Sequence, residues 1–239
     1  MIGHVVCAGK DTPRAEVQRE RILCAAQKCF IEHGFHAASM ANIAEAAQMS
    51  AGLMYRYFEN KSAIVRAIVE RQLQDGRAQI EQLHSSADLA ASILQTYRSW
   101  LARDPAVMNP ALYLEMSAEA TRDPQIAAAL QDSDERIFEA LQAWMTRDRD
   151  DRGLGLPPDI ASGRAQLLMQ VWNGLAVTAV RHPDQDPAAM REVIEKFVSR
   201  LVTPGGPGRN TRSIASGQAQ RAIAQSMDPD IAAPQQSSA

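Results

Sequence analysis

Cysteine is scarce: three residues, Cys7, Cys24 and Cys29, an odd number without CxxC spacing. A disulfide framework is therefore excluded as an organising device. No apolar run approaches the ~20 residues that a membrane span requires. The N-terminus, MIGHVVCAGKDTPR, lacks the apolar stretch and cleavage pattern of a secretory signal. Cytoplasm is the expected location, with no membrane partner. A basic excess is also missing. Net charge is −3, and Met1–Glu70 carries eight Lys/Arg against seven Asp/Glu, the rest seventeen against twenty-one. Such a balance excludes a histone-like packaging protein, so any DNA affinity must come from locally placed contacts.

Catalytic signatures are absent too. There is no Ser/His/Asp arrangement, phosphate-binding glycine loop or dinucleotide fingerprint, and no enzyme activity or cofactor is expected. The five histidines, His4, His33, His36, His84 and His182, are scattered. Cys29 and His33 stand i, i+4 with His36 nearby. Zinc wants three or four ligands and no carboxylate cluster completes the set, so no metal is expected. Cys29 reads as core and His33 as a last-turn residue before Gly34. A redox-sensing Cys7 or Cys24 lacks visible activating neighbours.

What is present is helical periodicity, with no convincing alternating strand run. Apolar residues make up 46% and charged residues 22% of the chain, an ordinary soluble composition. A first helix is predicted over about Pro13–His33, ending at Gly34. A short pair follows, Met40–Gln48 and Ala51–Phe58, joined by a turn at Met49–Ser50. Asn60 is a plausible N-cap for a helix from Lys61 to about His84. Asp88 is expected to cap one reaching Arg103, Pro105 to open a segment ending near Asp123, and Pro124 to start one running to about Arg149. DRDDRGLGLPP reads as a loop. Pro158–Arg181 and Pro187–Val202 are the last two helices. From Pro204 to Ala239, Gly, Pro, Ser, Gln and Ala dominate, and that tail is expected to be disordered.

The most informative stretch is SMANIAEAAQMSAGLMYRYFENK, Ser39 to Lys61. Ile43, Ala44 and Ala47 share one apolar face, Met54 and Phe58 another. Ala51, Gly52, Leu53, Tyr55 and Arg56 are left outside. Two short helices joined by a few residues make a helix-turn-helix, whose second helix fits a DNA major groove. Small residues, tyrosines, an arginine and then Lys61 suit close approach to a sugar-phosphate wall.

At these residues the chain resembles the TetR family of bacterial transcriptional regulators. The likeness covers Arg19–Ile64 closely, through RERILCAAQKCFIEHGF and SMANIAEAAQMSAGLMYRYFENKSAI. The resemblance implies an all-α fold of about nine helices. A helix-turn-helix DNA-binding domain would span 13–60, an effector-binding and dimerisation domain 61–203, and the tail 204–239. It implies that Ser39 donates to a phosphate while capping its helix. Ala51, Gly52 and Leu53 would face the groove, Tyr55 and Arg56 contact base edges or adjacent backbone, and Tyr57 and Lys61 grip phosphates. Ala41 departs from relatives that place a long polar side chain there.

Trp100, Met108, Leu112, Tyr113, Met116, Phe138, Met169 and Trp172, mixed with polar Asn173, fall on the middle helices. Adaptable sulfur and flat rings suit an apolar or aromatic effector, and the resemblance places an effector cavity among these helices. The expected partners are double-stranded operator DNA, a small-molecule effector and a second copy, paired through Pro158–Arg181 and Pro187–Val202. The expected mode is a repressor released by its effector. Two rival readings are an all-helical enzyme and a dimeric scaffold without DNA readout.

Overall fold

The computed structural model describes residues 14–202 apart from 106. Among these residues the chain forms nine helices and no strand: α1 (Arg14–Ala37), α2 (Met40–Ala46), α3 (Ala51–Tyr55), α4 (Lys61–Glu81), α5 (Ser86–Leu101), α6 (Pro110–Glu119), α7 (Pro124–Thr146), α8 (Pro158–Arg181) and α9 (Pro187–Val202). The architecture is all-α, as the periodicity predicts. Cys7, Pro13, Thr203 and the 204–239 tail lie outside the described residues.

Two apolar cores organise these helices. One gathers Ile22, Ala26 and Phe30 of α1, Ile43 of α2, Met54 of α3 and Ile64 and Ile68 of α4. Leu112 and Met116 of α6 and Ile126 of α7 complete it. The other is built around Tyr97, Trp100, Trp144, Met145, Leu168 and Leu175 with α9 laid against it. Helix α4 opens in the first core, while Leu83 just beyond its end packs in the second.

Local chemistry explains the boundaries. Asn60 caps α4, its side-chain oxygen accepting the Ala63 N–H at 2.8 Å. Two expected starts are corrected. Ser85, not Asp88, caps α5: the Ser85 hydroxyl accepts the Asp88 N–H at 3.2 Å, while the Asp88 carboxylate accepts the His84 N–H at 3.1 Å. Asp88 sits three residues inside the helix and accepts from the residue before the cap rather than from the cap's own N–H, so the pair is not a full capping box. Likewise Pro105 does not open α6; Asn109 caps it and Pro110 takes the first turn. The 147–157 loop is more than a linker, because Leu154 and Leu156 are buried in the second core.

Gly34 interrupts α1 with φ 77° and ψ 160°. That region is essentially glycine-only. A Cβ there would meet only Glu115 Oε1 at 3.9 Å, an ordinary contact, so crowding is not the constraint. Gly34→Ala is expected to destabilise the protein by about 1–3 kcal/mol through backbone strain alone. Thermal melting checks this; an unchanged midpoint would show that the kink tolerates a side chain.

Candidate nucleic-acid interface

The reader is built from helices too short to stand alone, of seven and five residues. Ile43, Ala44, Ala47, Met54 and Phe58 are buried and anchor them. Both helices are shorter than their sequence suggests. Ala47 is the C-cap of α2, and Gln48, at φ 52°, turns the chain out of helical geometry. Arg56 ends α3, and Phe58 packs inward from the turn that follows.

Both N-termini are capped by serine. The Ser39 hydroxyl accepts the Asn42 N–H at 3.1 Å, and Asn42 Oδ1 accepts the Ser39 N–H at 3.0 Å. The same hydroxyl donates to Asn42 Oδ1, so a phosphate at Ser39 would compete with that bond. Ser50 Oγ accepts the Leu53 N–H at 3.2 Å.

On the outer face, Ala51, Gly52, Tyr55 and Arg56 are exposed, with Tyr55 54% open to solvent, while Leu53 is half-buried. Ala41 is exposed on α2. Gly52 is the informative residue. Its φ is ordinary for a helix, and a Cβ added there would meet nothing within 4 Å. A glycine inside a helix costs about 0.5–1 kcal/mol relative to alanine. Gly52 lies in the first turn of α3, where that cost is an upper bound, and no packing among the described residues explains it.

Two residues expected on this face are partly drawn inward. Tyr57 is half-buried, and its carbonyl accepts Arg19 Nη1 at 3.3 Å. Lys61 Nζ donates to the carbonyls of Phe35 at 2.6 Å and Ala38 at 3.3 Å, and lies 4.3 Å from the centroid of the Phe35 ring. Burial pushes the Lys61 pKa down, partly opposed by Glu119. Carbonyls at the negative end of α1 attract the ammonium, which spends two of its three donors on them.

Four long-range holders of the reader carry no local sequence signal. Arg21 Nη2 donates to the Gln48 carbonyl at 3.2 Å, fixing the turn. Arg19 stacks over Phe58, 4.5 Å from its centroid. From α6, Glu115 Oε2 accepts the Phe35 N–H at 2.8 Å, and Glu119 Oε2 lies 3.3 Å from His36 Nε2. Only the tertiary fold brings these residues together.

The nine expected effector residues do not form one lining. Helix α6 lies between the two cores, so Leu112 and Met116, with Met108 just before the helix, face α1 and α4. Trp100, Tyr113, Phe138, Met169 and Trp172 pack in the second core instead. There Trp100 and Trp172 meet edge-on, centroids 5.1 Å apart, and the Tyr113 hydroxyl donates to Asn173 Oδ1 at 2.6 Å. Burial raises the Tyr113 pKa, aided by Asp134. The Trp100 indole N–H is buried and finds no partner among the described residues. Two open grooves, of about 770 and about 510 Å³, lie between α5 and α9 and beside α1, α4 and α7. None of the nine side chains lines either.

Cys24 and Cys29 both have thiol pKa values raised by burial, Cys24 also by Glu20, which accepts its S–H at 3.5 Å. Neither is an activated thiolate. Among the described residues no group of three or more His, Cys, Asp or Glu is placed to hold a metal ion. No helix there is long and apolar enough to cross a membrane.

Residues 22–68 match the family model described as "Bacterial regulatory proteins, tetR family". Residues 84–204 match "Tetracyclin repressor-like, C-terminal domain". The chain is 35% identical over 172 residues to the HTH-type transcriptional regulator UidR of Escherichia coli, covering 69% of this chain and 84% of the relative. It is 28% identical over 196 residues to an HTH-type transcriptional regulator of Mycobacterium tuberculosis, covering 80% and 88%. The solved structure of Salmonella enterica GusR superposes with a TM-score of 0.66 at 26% identity, over 81% of this chain and 99% of that one. With both halves matched and the helix-turn-helix in place, the chain belongs to the TetR family and is a DNA-binding transcriptional regulator, not an enzyme.

Proposed function

We propose that this regulator is a cytoplasmic homodimeric repressor that leaves a palindromic operator when a small apolar or aromatic effector binds. Its division is 13–60 for reading DNA and 61–203 for effector binding and dimerisation. The observation that carries the DNA reading is Gly52, an exposed helical glycine with empty space around it. Its missing side chain serves something outside the chain, and a DNA backbone or base edge approaching α3 is what the reader's geometry suits. Ser39, Ala51, Leu53, Tyr55, Arg56, Tyr57 and Lys61 surround that approach.

Support for the dimer comes from α8 and α9. Gly163, Leu167, Gln170 and Gly174 form an exposed stripe on α8, and a Cβ at either glycine would meet nothing within 4 Å. Leu167, Val180 and Val193 are 48%, 39% and 57% exposed, unusual for large apolar side chains. Pairing Pro158–Arg181 and Pro187–Val202 with their copies would bury this face as a four-helix interface. Two readers would then meet half-sites about one DNA turn or a multiple apart.

The effector reading now centres on Trp100, Tyr113, Phe138, Met169, Trp172 and Asn173. The Trp100 N–H, without a partner among the described residues, supports it, since buried donors rarely go unsatisfied. An effector there would tilt α4 and change reader spacing only by preferring the released state.

A mobility-shift assay on the intergenic DNA beside the protein's own gene tests the core of this reading, with Gly52→Ala as the variant. The substitution is expected to stabilise the protein by up to about 1 kcal/mol while weakening DNA binding. A variant that gains stability and binds as tightly as the parent would sink the proposal that α3 approaches DNA at Gly52.

A further inference from the structure

The turn between α2 and α3 carries a side chain where glycine is the usual residue. Helix α2 closes with the Gln48 N–H donating to the Glu45 carbonyl at 2.8 Å and the Met49 N–H to the Ala44 carbonyl at 3.0 Å. Paired closure of this kind puts one residue in the left-handed region, and glycine fills that position most often. Here it is Gln48, at φ 52°. A Cβ in that conformation crowds the following carbonyl oxygen, a strain that glycine does not have.

Gln48 is also the residue that α1 grips. Arg21 Nη2 donates both to the Gln48 carbonyl and to the Gln48 side-chain Oε1, each at 3.2 Å. The next two residues of α1, Ile22 and Leu23, are buried in the first core, so the guanidinium reaches out from a fixed point. Two residues beyond Gln48, Ser50 caps α3. The far end of α3 is held from the same helix: Arg19 donates to the Tyr57 carbonyl and stacks over Phe58. The direction of α3 is thus set at its exit by Arg19 and at its entry by the hold on Gln48.

We propose that Arg21 is a positioning residue for DNA binding: it clamps Gln48 in the left-handed conformation and thereby fixes the angle at which α3 meets the groove. It acts through Gln48 and touches no DNA itself. The clamp supplies the fixed turn that a glycine would adopt without strain. Arg21 and Gln48 are both exposed, and exposed bonds add little to global stability. Losing the clamp should therefore loosen the reader without unfolding the domain. The proposal rests on the reading of α3 as the groove-facing helix.

Suppression of one variant by another tests this on the full-length protein and the intergenic DNA beside its gene. Arg21→Ala should weaken binding by roughly three- to thirtyfold, the worth of one or two modest hydrogen bonds. Its melting midpoint should stay within about 2 °C of the parent. Gln48→Gly needs no clamp, so alone it should bind within about threefold of the parent and melt up to roughly 4 °C higher. In the double variant, glycine should recover most of the affinity that Arg21→Ala loses. A phosphate contact by Arg21 would instead leave the double variant as weak as Arg21→Ala. That outcome overturns the proposal, as does an Arg21→Ala protein that binds like the parent. Amide hydrogen exchange reads the same clamp without DNA. The Met49 amide should exchange severalfold faster in Arg21→Ala and return to the parent's rate in the double variant. An unchanged Met49 rate in Arg21→Ala rules the clamp out. If the parent protein itself ignores that DNA, the proposed target fails, while the exchange result still decides the clamp.

Discussion

Replacing Arg56 with alanine is expected to weaken operator binding by about 1–3 kcal/mol per half-site, and so by about 2–6 kcal/mol for a dimer engaging both. Arg56 closes α3, is exposed, and has no side-chain bond to any described residue. Its guanidinium is therefore free for an outside partner, and its removal should change stability by no more than about 0.5 kcal/mol. Two measurements separate its roles. A bidentate guanine contact would relax selectivity at one base pair, whereas a phosphate contact would lower the salt dependence by about one counterion with selectivity unchanged. Binding titrations across a salt series, on parent and single-base-substituted DNA, read both. A variant with the parent's affinity and salt slope would remove Arg56 from the interface.

The second large effect lies in the second core, away from the reader. Trp144 is 1% exposed, and its indole N–H donates to the Leu83 carbonyl at 3.1 Å, tying α7 to the turn after α4. Trp144→Ala should cost about 3–5 kcal/mol from lost burial and the cavity left behind. In a chain of this size that lowers the melting midpoint by roughly 6–20 °C. Trp144→Phe keeps most of the ring but leaves Leu83 without its donor, a smaller loss of about 1–3 kcal/mol. Calorimetry on both variants gives the comparison. Equal losses would show that the hydrogen bond, rather than packing, holds α7 in place.

The elements most legible in the sequence are those with strong local punctuation. Helices α8 and α9 run from Pro158 to Arg181 and from Pro187 to Val202, as their prolines and apolar spacing predict. Asn60 announces α4 for the same local reason. Where two residues compete for a cap, the reading shifts: Ser85 and Asp88 both suit a helix start, and only the paired bonds show which is outside. Buried positions of the reader were legible because Ile43, Met54 and Phe58 each have one apolar face to fill.

The holders of the reader were not legible. Arg21 meets Gln48 across 27 positions and Glu115 meets Phe35 across 80, and no period in the chain records such distances. The apolar residues of α6 show a second limit. Periodicity marks Leu112, Tyr113 and Met116 as inward, but not that two face α1 and α4 while Tyr113 faces α8. Lys61 shows a third, since a lysine near a helix start reads as free until a carbonyl pair nearby claims it.

The brevity of α2 and α3 has one more implication. Seven and five residues cannot hold helical form against the entropy of nucleation, so a peptide cut from 39–61 would be a coil. The reading surface therefore owns no stiffness of its own; it borrows rigidity from Ile22, Phe30 and Ile64 beneath it. Fraying one turn at a time is not open to it. The reader melts with its core, which makes DNA recognition an all-or-none property of the folded domain rather than of the helix that touches the groove.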